Sequence, residues 1–463
     1  MIRLRVGRTP VWIVAVGLLA SGLSNTDESE RKPNIVLILT DDHGYADLSC
    51  QGVVSDVRTP NIDALASAGV RMTAGYVTAP QCAPTRAALL VGRYQNRFGI
   101  ESNQSKTEGF ERQVTVVERL RESGYATGLV GKWHLGRPGK IRERGFDDFL
   151  MYPGTTANFD LGGKDTGGSY EPPRKFHVDN MTAGARAFIG RHHDEPFFLL
   201  LSYQAPHVPL NAPSRYFARF PGVDSWRRRQ ALAMLSAVDD GVGRVMDSLQ
   251  DYGVRENTAI FFVSDHGAPL LMHKSDEGRK DKGWNGSLND PFSGEKGMLS
   301  EGGVRVPFIV SWSGGLAGGR VFESPVSSLD IAATSLALAG LEPDARADGV
   351  DLLPFLRDKE RGDPHSILFW RFGVQAAVRE GDWKYIRAGE REYLFDLAED
   401  ETESENRAAA EPELAAALAG KLEAWASELT PAGLEAKKLP PKLATLYDFY
   451  HEGDRAAEDA TGD

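Results

Sequence analysis

Cysteine is scarce in this chain. Only Cys50 and Cys82 occur among 463 residues, so one disulfide at most can form. If Cys82 is chemically converted, that disulfide is lost, and we expect Cys50 to pack as a small apolar residue. The length allows one large domain with a smaller one beside it.

Positive charge is also in deficit. The chain has 53 Lys and Arg against 65 Asp and Glu, a net charge of −12. This balance argues against a nucleic-acid partner. An anionic substrate would therefore need a locally positive pocket within an acidic protein.

The apolar stretch near the N-terminus, residues 11–20, is shorter than the helix needed to span a membrane. It follows Arg3, Arg5 and Arg8 and precedes small residues at 20–22. This order is typical of a cleavable secretion signal, so we predict a signal peptide over residues 1–24 and export to the periplasm or beyond. A retained N-terminal anchor is the alternative.

Four apolar runs end abruptly in charged or imidazole side chains. Residues 34–40 lead to Asp41 and Asp42, and residues 127–130 lead to Lys132 and His134. Residues 197–201 lead to His207, and residues 259–263 lead to Asp265 and His266. Helical patterns lie between them, which predicts an α/β fold with a large, mostly parallel sheet flanked by helices. Ligands bind beyond the carboxyl ends of such strands, so we expect the site there.

The remaining segments complete the predicted organisation. Residues 137–180 and 267–300 are rich in Gly, Pro and charge, and we interpret them as loops around the site. Short strand-like runs from about residue 361 predict a C-terminal antiparallel sheet followed by a helix at 412–429. The expected divisions are a catalytic domain at 32–360, a C-terminal subdomain at 361–430 and a polar, loosely held tail at 431–463.

Three of the strand-end side chains are carboxylates, those of Asp41, Asp42 and Asp265. Converging carboxylates repel one another unless a cation joins them. Oxygen ligands completed by His266 favour a hard divalent cation, and Ca²⁺ is the natural candidate, because zinc would use more imidazole or thiolate. The alternative is that the aspartates cap turns.

Cys82 precedes an apolar run, residues 87–91, that predicts a helix ending near Gly92. The N-terminus of a helix favours negative charge, and Arg86 adds a cation that can grip an anion. We expect a thiol in this position to be more acidic and more reactive. A buried structural cysteine is the alternative.

The run Cys82-Ala83-Pro84-Thr85-Arg86 fits a Cys-x-Pro-x-Arg signature and resembles the formylglycine-dependent (type I) sulfatases of the alkaline-phosphatase-like superfamily. Further blocks resemble that family in its order, and they are residues 34–52, 59–93, 124–136, 205–209, 264–267 and 296–307. Residues 348–354 and 394–397 resemble later elements of the family. The set as a whole resembles exported bacterial carbohydrate sulfatases and arylsulfatases.

The resemblance implies roles for the individual residues. A maturase would oxidise Cys82 to formylglycine, whose hydrate is the family's nucleophile. One Ca²⁺ would be held by Asp41, Asp42, Asp265, His266 and residue 82, although many members have Asn in place of His266. Arg86 and Lys132 match groups that hold the hydrate, and His134 matches a partner of it. His207 and Lys296 match groups on the substrate sulfate, one of them proposed to protonate the leaving group.

These cations and histidines suit sulfate ester cleavage, which needs positive clamps on the sulfate oxygens and a proton donor for the alcohol. Each alone could be a surface lysine or a core histidine. The expected function is hydrolysis of a sulfated carbohydrate, with Trp284 and the basic residues of 267–300 contacting the sugar. The alternatives are an arylsulfatase of small substrates, a phosphate or phosphonate ester hydrolase, and a non-catalytic binding protein.

Overall fold

The computed structural model describes residues 31–151, 157–170, 175–271, 274, 283–435 and 437–452. The predicted signal peptide lies outside these residues, as do Arg279, Lys280 and Lys282. None of the helices within the described ranges has the length and apolar character needed to cross a membrane.

The strands are β1 Asn34–Asp41, β2 Val70–Met72, β3 Gly75–Tyr76, β4 Ala126–Gly131, β5 Asp148–Met151, β6 Ala157–Phe159, β7 Asp165–Tyr170, β8 Phe197–Pro206, β9 Thr258–Ser264, β10 Phe308–Ser311, β11 Arg320–Phe322, β12 Val326–Ser327, β13 Ile367–Phe372, β14 Gln375–Glu380, β15 Trp383–Ala388 and β16 Arg391–Asp396. The helices are α1 Pro60–Ser67, α2 Cys82–Val91, α3 Glu108–Glu111, α4 Val116–Glu122, α5 His177–His192, α6 Ser214–Phe217, α7 Trp226–Asp251, α8 Glu301–Val304, α9 Asp330–Leu338, α10 Leu353–Leu356, α11 Pro412–Ala426 and α12 Pro441–His451. Strands and helices alternate over most of the chain, as predicted.

The large sheet has the order β11-β2-β10-β9-β1-β8-β4-β5-β6-β7. Its centre, from β9 through β1, β8 and β4 to β5, is parallel. The strand β10 pairs antiparallel with β9, and β6 and β7 add an antiparallel edge. The predicted mostly parallel sheet is therefore confirmed, with antiparallel strands added at both sides.

The central strand β1 is buried on both faces, which explains its unbroken apolar sequence. Ile35, Leu37 and Leu39 belong to a core shared with α2, α4 and α9. Val36 and Ile38 point to the opposite core, which is shared with α5 and α7. Two helical layers thus fix the sheet, and the pairing of β1 with β8 shifts register between Leu39 and Asp41, where the strand reaches its polar end.

The second sheet is an antiparallel meander in the order β13-β14-β15-β16, as predicted. The helix α11 packs on the face that presents Val378 and Leu394. The opposite face presents Tyr393 and Phe395, and α12 packs there. The C-terminal sheet is therefore covered by helices on both sides.

Two expectations need correction. Residues 137–180 are not only loops, because β5, β6 and β7 extend the large sheet. The tail after residue 430 is not merely polar and loose, because α12 buries Leu446 and Tyr447. The two cysteines are free thiols, and Cys50 packs at the edge of a core cluster.

Candidate active site

The carboxyl ends of the central strands bring the predicted residues together. Asp41, Asp42, Cys82, Asp265 and His266 are all buried, and one ligand atom from each lies within 4.8 Å of the others. The first two follow from β1 and the last two from β9, which are neighbours in the sheet. Adjacent parallel strands end at one edge, so their terminal side chains meet there.

Cys82 is the first residue of α2, and the helix ends at Gly92 in the left-handed conformation that glycine tolerates. The N–H of Ala83 donates to Oδ1 of Asn103 at 2.9 Å, which satisfies one of the free donors at the start of the helix. The Cys82 Sγ lies 3.1 Å from Nε2 of His266 and 3.4 Å from Oδ1 of Asp41. The helix therefore delivers the cysteine into the carboxylate cluster.

Arg86 lies one turn along α2 and is also buried. Its Nε and Nη2 donate to Oδ2 of Asp265 at 3.1 and 2.9 Å. Its Nη1 donates to Oγ of Ser202 at 2.6 Å and to the backbone oxygen of Lys132 at 3.2 Å. The guanidinium thus joins the cysteine helix to Lys132 just after β4, to Ser202 within β8 and to Asp265 just after β9.

Two lysines flank the cysteine. Lys132 donates to Oδ2 of Asp41, and its Nζ lies 3.6 Å from Sγ of Cys82. Lys296 donates to Oδ1 of Asp42 at 2.6 Å, and its Nζ lies 3.9 Å from the same sulfur. Both ammonium groups therefore approach the cysteine while each is paired with one carboxylate.

The two other predicted histidines lie further out. Nε2 of His207 is 3.8 Å from Oδ2 of Asp42, on the side of Lys296. His134 follows Lys132 closely in the chain and is exposed to solvent. No hydrogen bond of the His134 side chain occurs among the described residues. It lies close enough to the cations of the site for them to influence its titration.

Charge states follow from burial and pairing. Burial alone would raise the pKa of Asp41, but Lys132, His207 and Arg86 hold it well below its usual value. The pKa of Asp42 is lowered against the effect of burial by Lys296 and His207. Burial lowers the pKa of His266. Asp41 and Asp42 are therefore ionised and His266 is neutral at neutral pH.

The acidity of the Cys82 thiol differs from the expectation. Burial, with Asp41 and Asp265 beside it, raises the pKa of Cys82, so the helix N-terminus does not make it acidic. Although the His134 side chain is exposed by surface area, the protein around it removes part of its hydration, and this desolvation, together with the nearby cations Lys132 and Arg86, lowers its pKa to about 4. An unmodified Cys82 is therefore a neutral thiol and a poor nucleophile.

Two of the site residues have unusual backbones. Asp42 has a φ of 60° and His134 a φ of 62°, both in the left-handed region that non-glycine residues rarely adopt. Such conformations cluster at functional sites because the surrounding structure must hold them in place. Here each one turns a side chain back over the end of a central strand.

Several supporting residues were not identified from the sequence. Asn285 Nδ2 donates to the backbone oxygen of Asp42 at 2.9 Å. Ser287 donates to Asp47, whose other oxygen accepts from Arg228 at 2.7 Å. Asp47 lies in the same sequence block as Asp41, which was the only available signal. Asn285, Ser287 and Arg228 are distant from Asp41 in the chain, so no local sequence pattern identified them.

Trp284 does not fit its predicted role. Its side chain is only 5% exposed and packs with Ala268, Leu270 and Leu288. Its indole N–H donates to the backbone oxygen of Ser287 at 2.7 Å. It supports the inner wall of the site and has no free face on which a sugar ring could stack.

The donor set fits a hard divalent cation. Three carboxylates, one neutral imidazole nitrogen and residue 82 converge at ligand spacing. The carboxylates of Asp41, Asp42 and Asp265 are balanced by exactly as many cations, Arg86, Lys132 and Lys296. A divalent cation would leave the pocket positive, which suits an anionic ester in an otherwise acidic protein.

Comparison with known proteins agrees with this geometry. The family model described as Sulfatase matches residues 33–341. The N-acetylgalactosamine-6-sulfatase of Mus musculus is 32% identical over 409 residues, which cover 80% of this chain and 74% of that protein. The crystal structure of Ps i-CgsB in complex with k-i-k-neocarrahexaose matches with a TM-score of 0.76 at 28% identity and covers 93% of this chain and 99% of that one.

The phosphonate monoester hydrolase of Agrobacterium radiobacter matches with a TM-score of 0.63 at 23% identity. The match covers 86% of this chain and 96% of that one, and it shows the fold alone.

The fold and the pocket define a hydrolase of oxyanion esters. The chain belongs to the sulfatase family, and it is a sulfuric ester hydrolase. The predictions of family, fold and reaction are confirmed.

Proposed function

We propose that this sulfatase hydrolyses sulfate esters of a carbohydrate, with Cys82 converted to formylglycine and Ca²⁺ held beside it. One observation carries the proposal. The Cys82 Sγ, which marks the position of the formylglycine oxygens, lies within 3.9 Å of His266, Asp41, Lys132 and Lys296. Residue 82 is thus surrounded by both the cation donors and the groups that can bind an anion.

Asp41, Asp42, Asp265 and His266 would hold the cation, together with residue 82. Ca²⁺ would supply positive charge that makes a hydroxyl on residue 82 easier to deprotonate. The hydrate of formylglycine would supply one hydroxyl that attacks sulfur and displaces the alcohol, and a second whose loss of a proton would reform the aldehyde as the C–O bond to sulfate breaks. A cysteine thiol offers no second hydroxyl, so it cannot release the sulfate in this way.

The residues of the pocket divide into two groups. Lys132 and Arg86 lie on the side of Asp41 and Asp265, where they fix residue 82 and offset its negative charge. Lys296 and His207 lie on the side of Asp42, where they can bind the sulfate of the substrate. A cation aimed at oxygens that gain charge in the transition state lowers the barrier more than it strengthens ground-state binding.

Two histidines supply the proton transfers. His207 is partly exposed and lies at the Asp42 side, which suits donation of a proton to the departing alcohol. The depressed pKa of His134, at about 4, keeps that imidazole neutral at the mouth of the site. A neutral imidazole can accept the proton of the second hydroxyl when sulfate is released.

A carbohydrate substrate is supported by the relatives. One is a sulfatase of N-acetylgalactosamine 6-sulfate by name, and another was crystallised with a neocarrahexaose. The predicted signal peptide would export the enzyme to the compartment where polysaccharides are met. These observations favour a sugar over a small aryl sulfate.

Conversion of Cys82 must precede folding. The residue is 1% exposed and belongs to the first turn of α2, so a maturase cannot reach it in the folded chain. The enzyme should therefore be produced together with a formylglycine-generating enzyme, and the conversion measured by peptide mass. Maturase added to folded, unconverted protein should leave Cys82 unchanged.

The test measures sulfate and phosphate release from sulfated oligosaccharides, aryl sulfates and phosphate or phosphonate esters, with Cys82→Ala as the control. Sulfate release from a sugar, absent in the control, is the expected result. Faster turnover of a phosphate or phosphonate ester would favour the second function that this fold supports. Turnover of aryl sulfates alone would contradict the carbohydrate assignment.

A further inference from the structure

Lys296 is presented by an irregular loop and not by a strand or helix. The loop, residues 293–300, is anchored to two neighbouring segments of the site. The N–H of Lys296 donates to the backbone oxygen of Ala268 at 3.1 Å, and the N–H of Gly297 donates to that of Pro80 at 3.0 Å. Gly297 has a φ of 95°, so the turn at this point requires glycine.

The C-terminal subdomain holds the same loop from behind. Gln375 Nε2, on β14, donates to the backbone oxygen of Gly297 at 2.9 Å. Tyr447, on α12, donates its hydroxyl to Oε1 of Gln375 at 2.7 Å. Gln375 is 1% exposed and Tyr447 is fully buried. A two-bond chain thus runs from the C-terminal helix to the residue next to Lys296.

Further contacts fix the end of the loop. The Ser300 hydroxyl is hydrogen-bonded to Nε2 of His451, also on α12, at 2.7 Å. The N–H of Glu301 donates to Oε2 of Glu403 at 2.7 Å. Lys384 lies 2.8 Å from a carboxylate oxygen of Glu301 and 2.8 Å from one of Glu403, with all three side chains buried. Gly297, Ser300 and Glu301 are therefore each hydrogen-bonded to a residue of the C-terminal sheet, its following loop or α12.

We propose that Tyr447 and Gln375 are positioning residues that set the place of Lys296 in the pocket. The inference rests on the proposed contact between Lys296 and the substrate sulfate. An irregular loop lacks the regular backbone hydrogen bonds of a helix or strand, and a lysine side chain is flexible. The position of the Lys296 ammonium group therefore depends on how firmly the loop backbone is held. The helix α12 supplies that hold, although it lies at the far end of the chain.

The test uses converted enzyme with 4-nitrocatechol sulfate as substrate and inorganic sulfate as competitor. The variants are Tyr447→Phe and Gln375→Leu, each compared with the parent for KM, kcat, the inhibition constant of sulfate and Tm. Loss of one buried hydrogen bond in this chain should weaken sulfate inhibition and raise KM by about threefold to tenfold. The Tyr447 hydroxyl also interacts with the backbone of Leu299 in the same loop, so the double variant should equal or modestly exceed Gln375→Leu and fall short of the sum of the two single effects.

Tyr393→Phe is the matched control. It removes a buried hydroxyl that donates to Glu452, at the end of α12, at 2.9 Å. Any general loosening of α12 affects this variant as well, but its bond does not lead to Gly297. We expect unchanged sulfate inhibition in Tyr393→Phe, and an equal rise in all three variants would overturn the proposal.

The decisive comparison is made in a Lys296→Ala background. Lys296→Ala itself should weaken sulfate inhibition, and Tyr447→Phe should add nothing further there, because the group it positions is absent. A full additional effect of Tyr447→Phe in that background would overturn the inference while leaving the role of Lys296 intact. Unchanged inhibition in Lys296→Ala would instead remove Lys296 from the sulfate site, and the inference would fall with that assignment.

Discussion

Arg86 and Asp265 form a buried, two-pronged ion pair, with Nε and Nη2 of the guanidinium 3.1 and 2.9 Å from the same carboxylate oxygen. The arginine lies on the helix that begins at Cys82, and the aspartate ends the strand that leads to His266. The pair therefore ties the helix of the proposed nucleophile to the strand that precedes two of the proposed metal ligands, Asp265 and His266. Its geometry sets the position of residue 82 relative to the proposed cation site.

Arg86→Lys should show how much this connection contributes. Lysine keeps the charge but cannot donate two hydrogen bonds to Asp265 from one planar group. It also loses the hydrogen bonds to Ser202 and to the backbone oxygen of Lys132. Breaking a buried pair of this kind costs on the order of 3–5 kcal/mol. We expect a lower Tm and a fall in kcat/KM of at least about a hundredfold. Arg219→Lys, at an exposed pair with Asp240, is the matched control and should stay near parental values.

Asp265→Asn should reduce metal content. The substitution removes the charge of a buried carboxylate that faces Asp42 and Cys82 across the cluster. Calcium per chain, measured by mass spectrometry of the purified protein, should drop well below the parent's value. Asp239→Asn is a matched control, because Asp239 is a buried carboxylate that accepts three hydrogen bonds near the start of α1, outside the cluster. Equal calcium in Asp265→Asn and parent would remove Asp265 from the ligand set.

The pH dependence of activity should not reflect His134. Partial desolvation by the surrounding protein and the cations Lys132 and Arg86 depress the pKa of this exposed side chain to about 4, so the folded enzyme keeps it neutral above roughly pH 5. His134→Gln should lower kcat while leaving the position of the acid limb of the kcat/KM profile between pH 5 and 8 unchanged. A shift of that limb in the variant would show that His134 titrates in the working range.

His207→Gln should reveal the leaving-group acid. Removing a general acid typically costs a factor of about 10² to 10⁴ when the alcohol is a poor leaving group. A phenol with a low pKa needs no proton, so the variant should retain most of its activity on 4-nitrocatechol sulfate and lose it on a sugar sulfate. Equal losses on both substrates would assign His207 to sulfate binding alone.

The positions of the site residues along the sheet were predictable because buried parallel strands are continuously apolar. The run before Asp41 and the run before Asp265 ended where the structure ends β1 and β9. The helix from Cys82 to Gly92 was also predictable, since glycine marked its end. These are local signals, and each lies within a few residues of the group that it places.

The rest depended on contacts that no local pattern encodes. The link between Asp47 on one segment and Arg228 on α7 spans 181 positions. Trp284 was predicted to contact the sugar because it lies in a segment interpreted as a loop around the site, yet it packs inward against Leu270. The tail was predicted to be loose because its flanks are polar, but Tyr447 finds a buried partner in Gln375, 72 positions away.

The most direct test of the central claim uses preparations with graded conversion of Cys82. Peptide mass gives the fraction of formylglycine in each preparation, and sulfate release from a sulfated oligosaccharide gives its rate. The rate should be proportional to that fraction and pass through zero for unconverted protein, because the neutral, buried thiol has no route to release sulfate. A rate that is independent of the fraction, or substantial turnover by unconverted enzyme, would contradict formylglycine as the nucleophile.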